Sequence, residues 1–225
     1  FADKLDLLLK IRQNERVTWS GIGRAPLENL GVYPRPVQQP LPVWIAVGGN
    51  PNSVMRAGKL GLPLVLAIIG GEPRRFTPLI DLYRESAQAA GHDVAKLPVA
   101  INSHGFIADE ADDAVETFYP PYAEVMSTIG RERGWSPMTR AQFEALRSRA
   151  GSLLIGTPQE VIEKMLYEHE LFKYDRFLMH LSVGTMPHDK VMRAIELLGT
   201  VVAPAVRKAL AGTETPEAQE PVTAA

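Results

Sequence analysis

The 225-residue chain contains no cysteine. That excludes disulfides, thiolate metal sites, thiol nucleophiles and iron–sulfur clusters, and it points to a reducing cytoplasm. It also lacks any strongly basic block: 24 Lys+Arg against 26 Asp+Glu give a net charge of −2. Nucleic-acid binding would need a clustered basic face, which is missing. The longest apolar stretch, Leu60 to Ile69, is far short of the ~20 residues a membrane span needs. No basic-then-apolar signal peptide opens the chain. Hydrophobic residues at 45% and charged residues at 22% are ordinary for a globular protein and rule against disorder, collagen and coiled coil.

What is present is a repeated alternation of strand and helix. Phe1–Asn14 has helical spacing, with Phe1, Leu5, Leu8 and Leu9 on one stripe and no N-cap before it. Val17–Gly21 and Gly31–Tyr33 read as short strands, of either a small hairpin or an excursion, followed by the proline run Pro34, Pro36, Pro40 and Pro42. Val43–Val47 is a continuous apolar run of the kind found in parallel strands covered on both faces. Glycines end it, and a helix follows over Asn50–Leu60. Pro63–Ile69 repeats the pattern, with a helix over Pro73–Ala90. Leu97–Ala108 is a third strand, leading into a helix from Glu110 to Ile129, with helical insertion material over Arg131–Ala150. Thr157-Pro158-Gln159-Glu160 has the composition of a capped helix start. That helix runs to Phe172, a fourth strand spans Asp175–Val183, and a last helix from Pro187 to Leu210 is bent at Gly199 and Pro204. From Gly212 onward the composition is that of a disordered tail, giving a domain over 1–211 and a tail over 212–225. Repeated βα units mean a parallel sheet. Four such strands form either a small open sheet or half of an eight-stranded barrel.

Chemistry in parallel α/β folds sits where the strands end. Two consecutive strands here end in glycine doublets, Gly48-Gly49 (followed by Asn50, Pro51, Asn52, Ser53) and Gly70-Gly71 (followed by Glu72, Pro73). Glycine permits close backbone approach, and a following helix offers free N–H groups to an anion. Both doublets fit a phosphate cradle; each also fits a tight βα turn with no ligand. Neither is a Gly-x-Gly-x-x-Gly or a Walker loop. Arg74 and Arg75 can add positive charge or simply be a solvated first turn. The histidines, His92, His104, His169, His180 and His188, show no metal-binding spacing. His104 and His180 lie on strands lining one interior, where each is either a hydrogen-bonded core residue or a group reaching substrate or flavin; His188 sits at a βα turn. Ser103 and His104 cannot pair as nucleophile and base, because adjacent strand residues point to opposite faces. Ser53 and Ser182 lack a nucleophile elbow. The run Asp109, Glu110, Asp112, Asp113 favours a helix N-terminus through its dipole, or alternatively gathers a metal.

Pro34–Gly49 (Pro-Arg-Pro-Val-Gln-Gln-Pro-Leu-Pro-Val-Trp-Ile-Ala-Val-Gly-Gly), with Ser53 and Arg56-Ala57-Gly58 behind it, resembles the fifth-strand region of the bacterial-luciferase-like flavin-dependent monooxygenases. Leu64–Phe76, Asn102-Ser103-His104-Gly105-Phe106, Met186-Pro187-His188 and Ile195–Thr200 agree with one subfamily of oxidoreductases within it. The resemblance extends from Phe1 to about Leu210. It implies a TIM (β/α)8 barrel of which this chain supplies strands five to eight, since a complete barrel takes about 250 residues and the match begins after the fourth strand. It implies reduced FMN, or a deazaflavin in relatives, at the C-terminal ends of the strands. Gly48, Gly49, Asn50 and Ser53 would then lie at the flavin phosphate, with Gly70 and Gly71 beside it. It further implies O2-dependent oxidation of a small organic substrate, NAD(P)H acting through a partner flavin reductase, and a homodimer of the intact protein. The usual proton donor would belong to the upstream half, so no catalytic residue is assigned here. The other readings are a deazaflavin-dependent oxidoreductase that moves hydride without O2, and a non-catalytic half-barrel that packs against a partner or itself.

Overall fold

The computed structural model describes residues 1–212; the tail expected from residue 212 lies, from residue 213 on, outside the described residues. The chain forms two compact units, Phe1–Trp44 and a second beginning at Ile45. In the first, α1 (Ala2–Gln13) precedes an antiparallel pair, β1 (Arg16–Trp19) and β2 (Leu27–Gly31), paired from Arg16↔Gly31 to Trp19↔Leu27. Leu7, Val17, Trp19 and Leu27 are its buried core. The Trp19 indole nitrogen donates to the Asp6 carboxylate at 2.9 Å, so the ring is buried without stranding its N–H. Of the two arrangements expected, the hairpin is the one formed, but its second strand lies ahead of Gly31–Tyr33.

The second unit alternates as the sequence indicates. Its elements are β3 (Ile45–Val47), α2 (Pro51–Lys59), β4 (Leu64–Ala67), α3 (Thr77–Ala89, after a 3-10 turn over Pro73–Phe76) and β5 (Val99–Ile107). Next come α4 (Ala111–Arg133), α5 (Arg140–Arg147), β6 (Leu154–Gly156), α6 (Pro158–Phe172) and β7 (Arg176–His180). α7 (His188–Leu197) passes through a π-helical turn, Leu198–Val202, into α8 (Ala203–Ala211). That wide turn falls at the bend expected from Gly199 and Pro204.

All pairings in this unit are parallel. β3 pairs with β4, and β4 with β5. The nine-residue β5 then divides its far edge: Ala100–His104 pairs with β7, and Gly105–Ile107 pairs with β6. This is an α/β fold with a parallel sheet, and the described residues close no barrel. β6 is an addition to the four strands read from the sequence.

Residues alternate between two faces. Ile45 and Val47, Leu64 and Leu66, Val99 and Ile101 share one face and are buried. Ala46, Val65, Ala67, Asn102, Leu178 and His180 share the other, where Ala46 and His180 are exposed and Leu178 is 40% exposed. Beyond β5, Phe106 packs with Phe118 and Tyr122 of α4 and Phe143 of α5 in a separate core. α6 starts on the expected capping box: the Glu160 N–H donates to Thr157 Oγ1 at 3.4 Å and the Thr157 N–H donates to Glu160 Oε2 at 2.8 Å. Thr157→Ala is expected to cost about 1 kcal/mol, read from urea denaturation midpoints.

Candidate functional site

β3 and β4 are hydrogen-bonded neighbours running the same way, so their C-terminal ends bring Gly48-Gly49 and Gly70-Gly71 to one edge of the sheet. Gly49 (φ 116°) and Gly71 (φ 81°) take conformations that side chains rarely adopt. A Cβ built at Gly48, Gly70 or Gly71 meets nothing within 4 Å, and one at Gly49 meets only Phe76, at 4.0 Å. The glycines therefore border open space. Among the described residues, no protein acceptor takes the backbone N–H of Gly49, Asn50, Gly70 or Gly71. Arg74 and Arg75 follow on the surface, and among the described residues neither makes an ion pair. This donor set suits an anion: bare amides, adjacent cations and no carboxylate engaged with them.

Asn50 has a second role. It is the N-cap of α2, its side-chain oxygen accepting from the N–H groups of Asn52 (2.9 Å) and Ser53 (3.3 Å). The Ser53 N–H also donates to the Asn50 carbonyl at 3.1 Å. The first turn of α2 is thus largely satisfied internally, and the unmet donors belong to the glycine turns. A groove of about 560 Å³ leads away from Gly71 and Arg75 to Met138, Leu146 and Gly151.

A second cluster lies where β5 and β7 run side by side. His104 and His180 are register partners whose rings stack at 5.1 Å and 25°, and Tyr122 meets His104 edge-on at 5.7 Å and 74°. Burial, aided by His180, pulls the His104 pKa down to about 4, so the ring is neutral at physiological pH. Burial pushes the Tyr122 phenol up to about 12. Tyr122 was not singled out in the sequence; the signal available was its i+4 spacing from Phe118. Ser103 points to the other face and donates to the Ile68 carbonyl at 3.0 Å, as strand geometry requires.

The remaining candidates lie apart from these two clusters. Asp109 pairs with Arg193 and Asp113 with Lys190, fastening α7 to the start of α4, so these acidic residues do more than favour a helix dipole. Among the described residues no group of His, Asp and Glu can hold a metal, and no helix is long and apolar enough to cross a membrane. A His92 ring nitrogen lies 3.0 Å from the Lys59 carbonyl, His169 packs edge-on against Tyr174, and His188 is exposed at the start of α7.

A parallel sheet with helices between its strands, ending in glycine turns at its C-terminal edge, places the second unit in the α/β class. The chain belongs to the luciferase-like monooxygenase family, whose model matches residues 1–173. It is similar to the crystal structure of the monooxygenase RslO1 from Streptomyces bottropensis (20% identity, TM-score 0.73), covering 91% of this chain and 60% of that one. It is also similar to an F420-dependent secondary alcohol dehydrogenase solved with an F420-acetone adduct (19% identity, TM-score 0.65, 90% and 60% covered). A third likeness is to the oxygenating constituent of 3,6-diketocamphane monooxygenase of Pseudomonas putida in complex with FMN (19% identity, TM-score 0.58, 91% and 62% covered). These likenesses are of fold. An uncharacterized protein of Sinorhizobium fredii, y4vJ, is 24% identical over 235 residues, covering 95% of this chain and 63% of the relative. The chain thus spans about three fifths of the length of the proteins it matches.

Proposed function

We propose that the chain is the part of a flavin-dependent oxidoreductase that contributes barrel strands five to eight, and that it holds the phosphate of the cofactor on the turns after β3 and β4. The observation carrying this reading is the set of backbone N–H groups at Gly49, Asn50, Gly70 and Gly71 that no protein acceptor takes, bordering open space. Reduced FMN bound there would supply the O2 chemistry by which a small organic substrate is oxidised. The chain's own part is to bind the phosphate through peptide amides, to fix the cofactor over the open face of the sheet and to limit water at that face. A deazaflavin that moves hydride without O2 is the second reading; the likeness to the F420-dependent alcohol dehydrogenase favours it. A flavin reductase drawing on NAD(P)H, a homodimer of the intact protein and a cytoplasmic location complete the proposal.

Titration of the purified chain with FMN, F420 and riboflavin, followed by flavin fluorescence, tests it. Phosphate-bearing flavin is expected to bind about 10- to 100-fold more tightly than riboflavin, the equivalent of one or two charge-assisted hydrogen bonds. Binding of none of the three defeats the reading. Ser53→Asp adds a negative charge in the first turn of α2. It is expected to weaken FMN about tenfold by repulsion and to leave riboflavin unchanged. The melting temperature should hold or rise, since an acid there favours the helix dipole.

A further inference from the structure

β5 and β7 run in register from Ala100↔Arg176 to His104↔His180, so Asn102, Leu178 and the two histidines project from one face. This is the face left open, and it ends in an asymmetric pair. His180 is exposed, while His104, only 7% exposed, is shut in by α4, whose Tyr122 lies edge-on to it and stacks in turn on Phe118 at 5.5 Å. Nδ1 of His104 is buried with no hydrogen-bond partner. Leaving a buried polar atom unmet costs stability that a phenylalanine of similar shape would not, so packing alone gives no reason for an imidazole at this place.

We propose that His180 exchanges a proton with a hydroxyl or carbonyl oxygen of a small organic molecule lying on the open face, and that His104, stacked behind it, is its positioning partner. The inference rests on the flavin-enzyme reading only for the reaction this proton transfer serves. In one direction the substrate O–H bond breaks as an N–H bond forms on the neutral imidazole. In the other, the imidazolium returns that proton to oxygen, and no electrons are gained or lost by the protein. Two rings stacked at 5.1 Å strongly disfavour carrying two charges. Burial keeps the inner ring, His104, neutral, and His180 is the ring that reaches the open face. The group stacked on that ring is His104 from β5, and Tyr122 of α4, held as a neutral phenol, lies edge-on to His104. Ile69, beyond β4, and Leu178 supply exposed apolar surface at the same end of the sheet for the carbon skeleton.

Imidazole 15N NMR of the whole chain between pH 4.5 and 8.5, assigned with H104Q and H180Q, tests the pair directly and needs no flavin. One ring, His180, is expected to take up a proton while His104 stays in one neutral tautomer through most of the range. Cyclohexanone and cyclohexanol, used as probes, should shift the His180 ring nitrogens saturably, and methylcyclohexane, which has no oxygen, should not. Cyclohexanone affinity should rise about fivefold as His180 becomes cationic, the gain of a charged over a neutral hydrogen bond. H180Q should abolish the shift and the pH dependence. H104F, which keeps a ring in the stack, should move the midpoint of that pH dependence by about half a pH unit or more. Protonation of His104 ahead of His180, or probe shifts that persist unchanged in H180Q, would overturn the proposal. FMN and F420 titrations of the same samples report separately on the cofactor reading.

Discussion

Lys164→Met is expected to lower the unfolding free energy by about 2–4 kcal/mol, the loss of one or two hydrogen bonds from a charged donor plus carbonyls left unmet. Lys164 lies on α6 and is buried. Its ammonium donates to the carbonyls of Leu153 (2.6 Å), Ser148 (2.7 Å) and Arg147 (3.3 Å), with Leu146 at 3.5 Å. Three of these belong to the end of α5 and its C-cap, Ser148. One side chain therefore satisfies the orphan carbonyls of a helix and complements its dipole. It also fixes the segment that leads into β6. Methionine keeps the apolar stem and removes every one of those donors, and urea denaturation at pH 7 reads the difference.

One turn along α6, Glu168 is fully buried and neither carboxylate oxygen has a hydrogen-bond partner. Burial pushes its pKa up to about 8, outweighing the attraction of Lys164, while burial draws Lys164 down to about 8. Between pH 4.5 and 8 the folded state keeps a proton on Glu168 that the unfolded chain releases. The stability that proton confers is complete below pH 4.5 and is lost as pH rises through 8, at no more than about 1.4 kcal/mol per pH unit. Lys164 acts in a different window: because burial lowers its pKa, stability rises with pH between 8 and 10.5, where the folded chain has released a proton that the unfolded chain keeps. Glu168→Gln should accordingly match the wild type near pH 5 and exceed it in stability at pH 8. A variant equally stable to the wild type at both pH values would show that Glu168 is already ionised in the fold.

This pair was hidden in the sequence for a physical reason. Lys and Glu at i and i+4 are the commonest pattern of a solvated helix face, and only the return of the Leu146–Leu153 segment over α6 buries them. β6 was missed on similar grounds: Leu154–Gly156 is three residues long, too short for any periodicity to mark it. The second hairpin strand begins at Leu27 rather than Gly31 because Glu28 and Asn29 interrupt its apolar pattern, and Asn29 takes a positive φ. By contrast β3, β4, β5 and β7 were legible as apolar runs closed by turns, and the Thr157 cap was legible residue by residue. The glycine doublets showed in the sequence, yet which amides stay unmet did not, since that turns on Asn50 capping α2 with its own side chain. Pairing of His104 with His180 followed from register, but the burial of His104 depends on α4 folding back over the strand end.

Gly48→Leu and Gly70→Leu are expected to weaken FMN binding about 100-fold while leaving the melting temperature within a few degrees of the wild type. The two halves of that outcome have separate causes. Neither residue has a positive φ, and a Cβ at either meets nothing within 4 Å, so the folded chain accepts a side chain without strain or overpacking. The space the leucine fills is the space a phosphate would occupy against the neighbouring amides, and losing two charge-assisted hydrogen bonds corresponds to roughly two powers of ten in affinity. Gly49→Ala and Gly71→Ala make poor probes by comparison: their φ values of 116° and 81° force an alanine into a disfavoured conformation, so lost binding would be confounded with lost stability. Calorimetric titration of the leucine variants, beside thermal melts of the same samples, separates the cradle from a pair of tight turns. Full FMN affinity in both variants would mean that the phosphate is held elsewhere and that the doublets serve only to turn the chain from strand to helix.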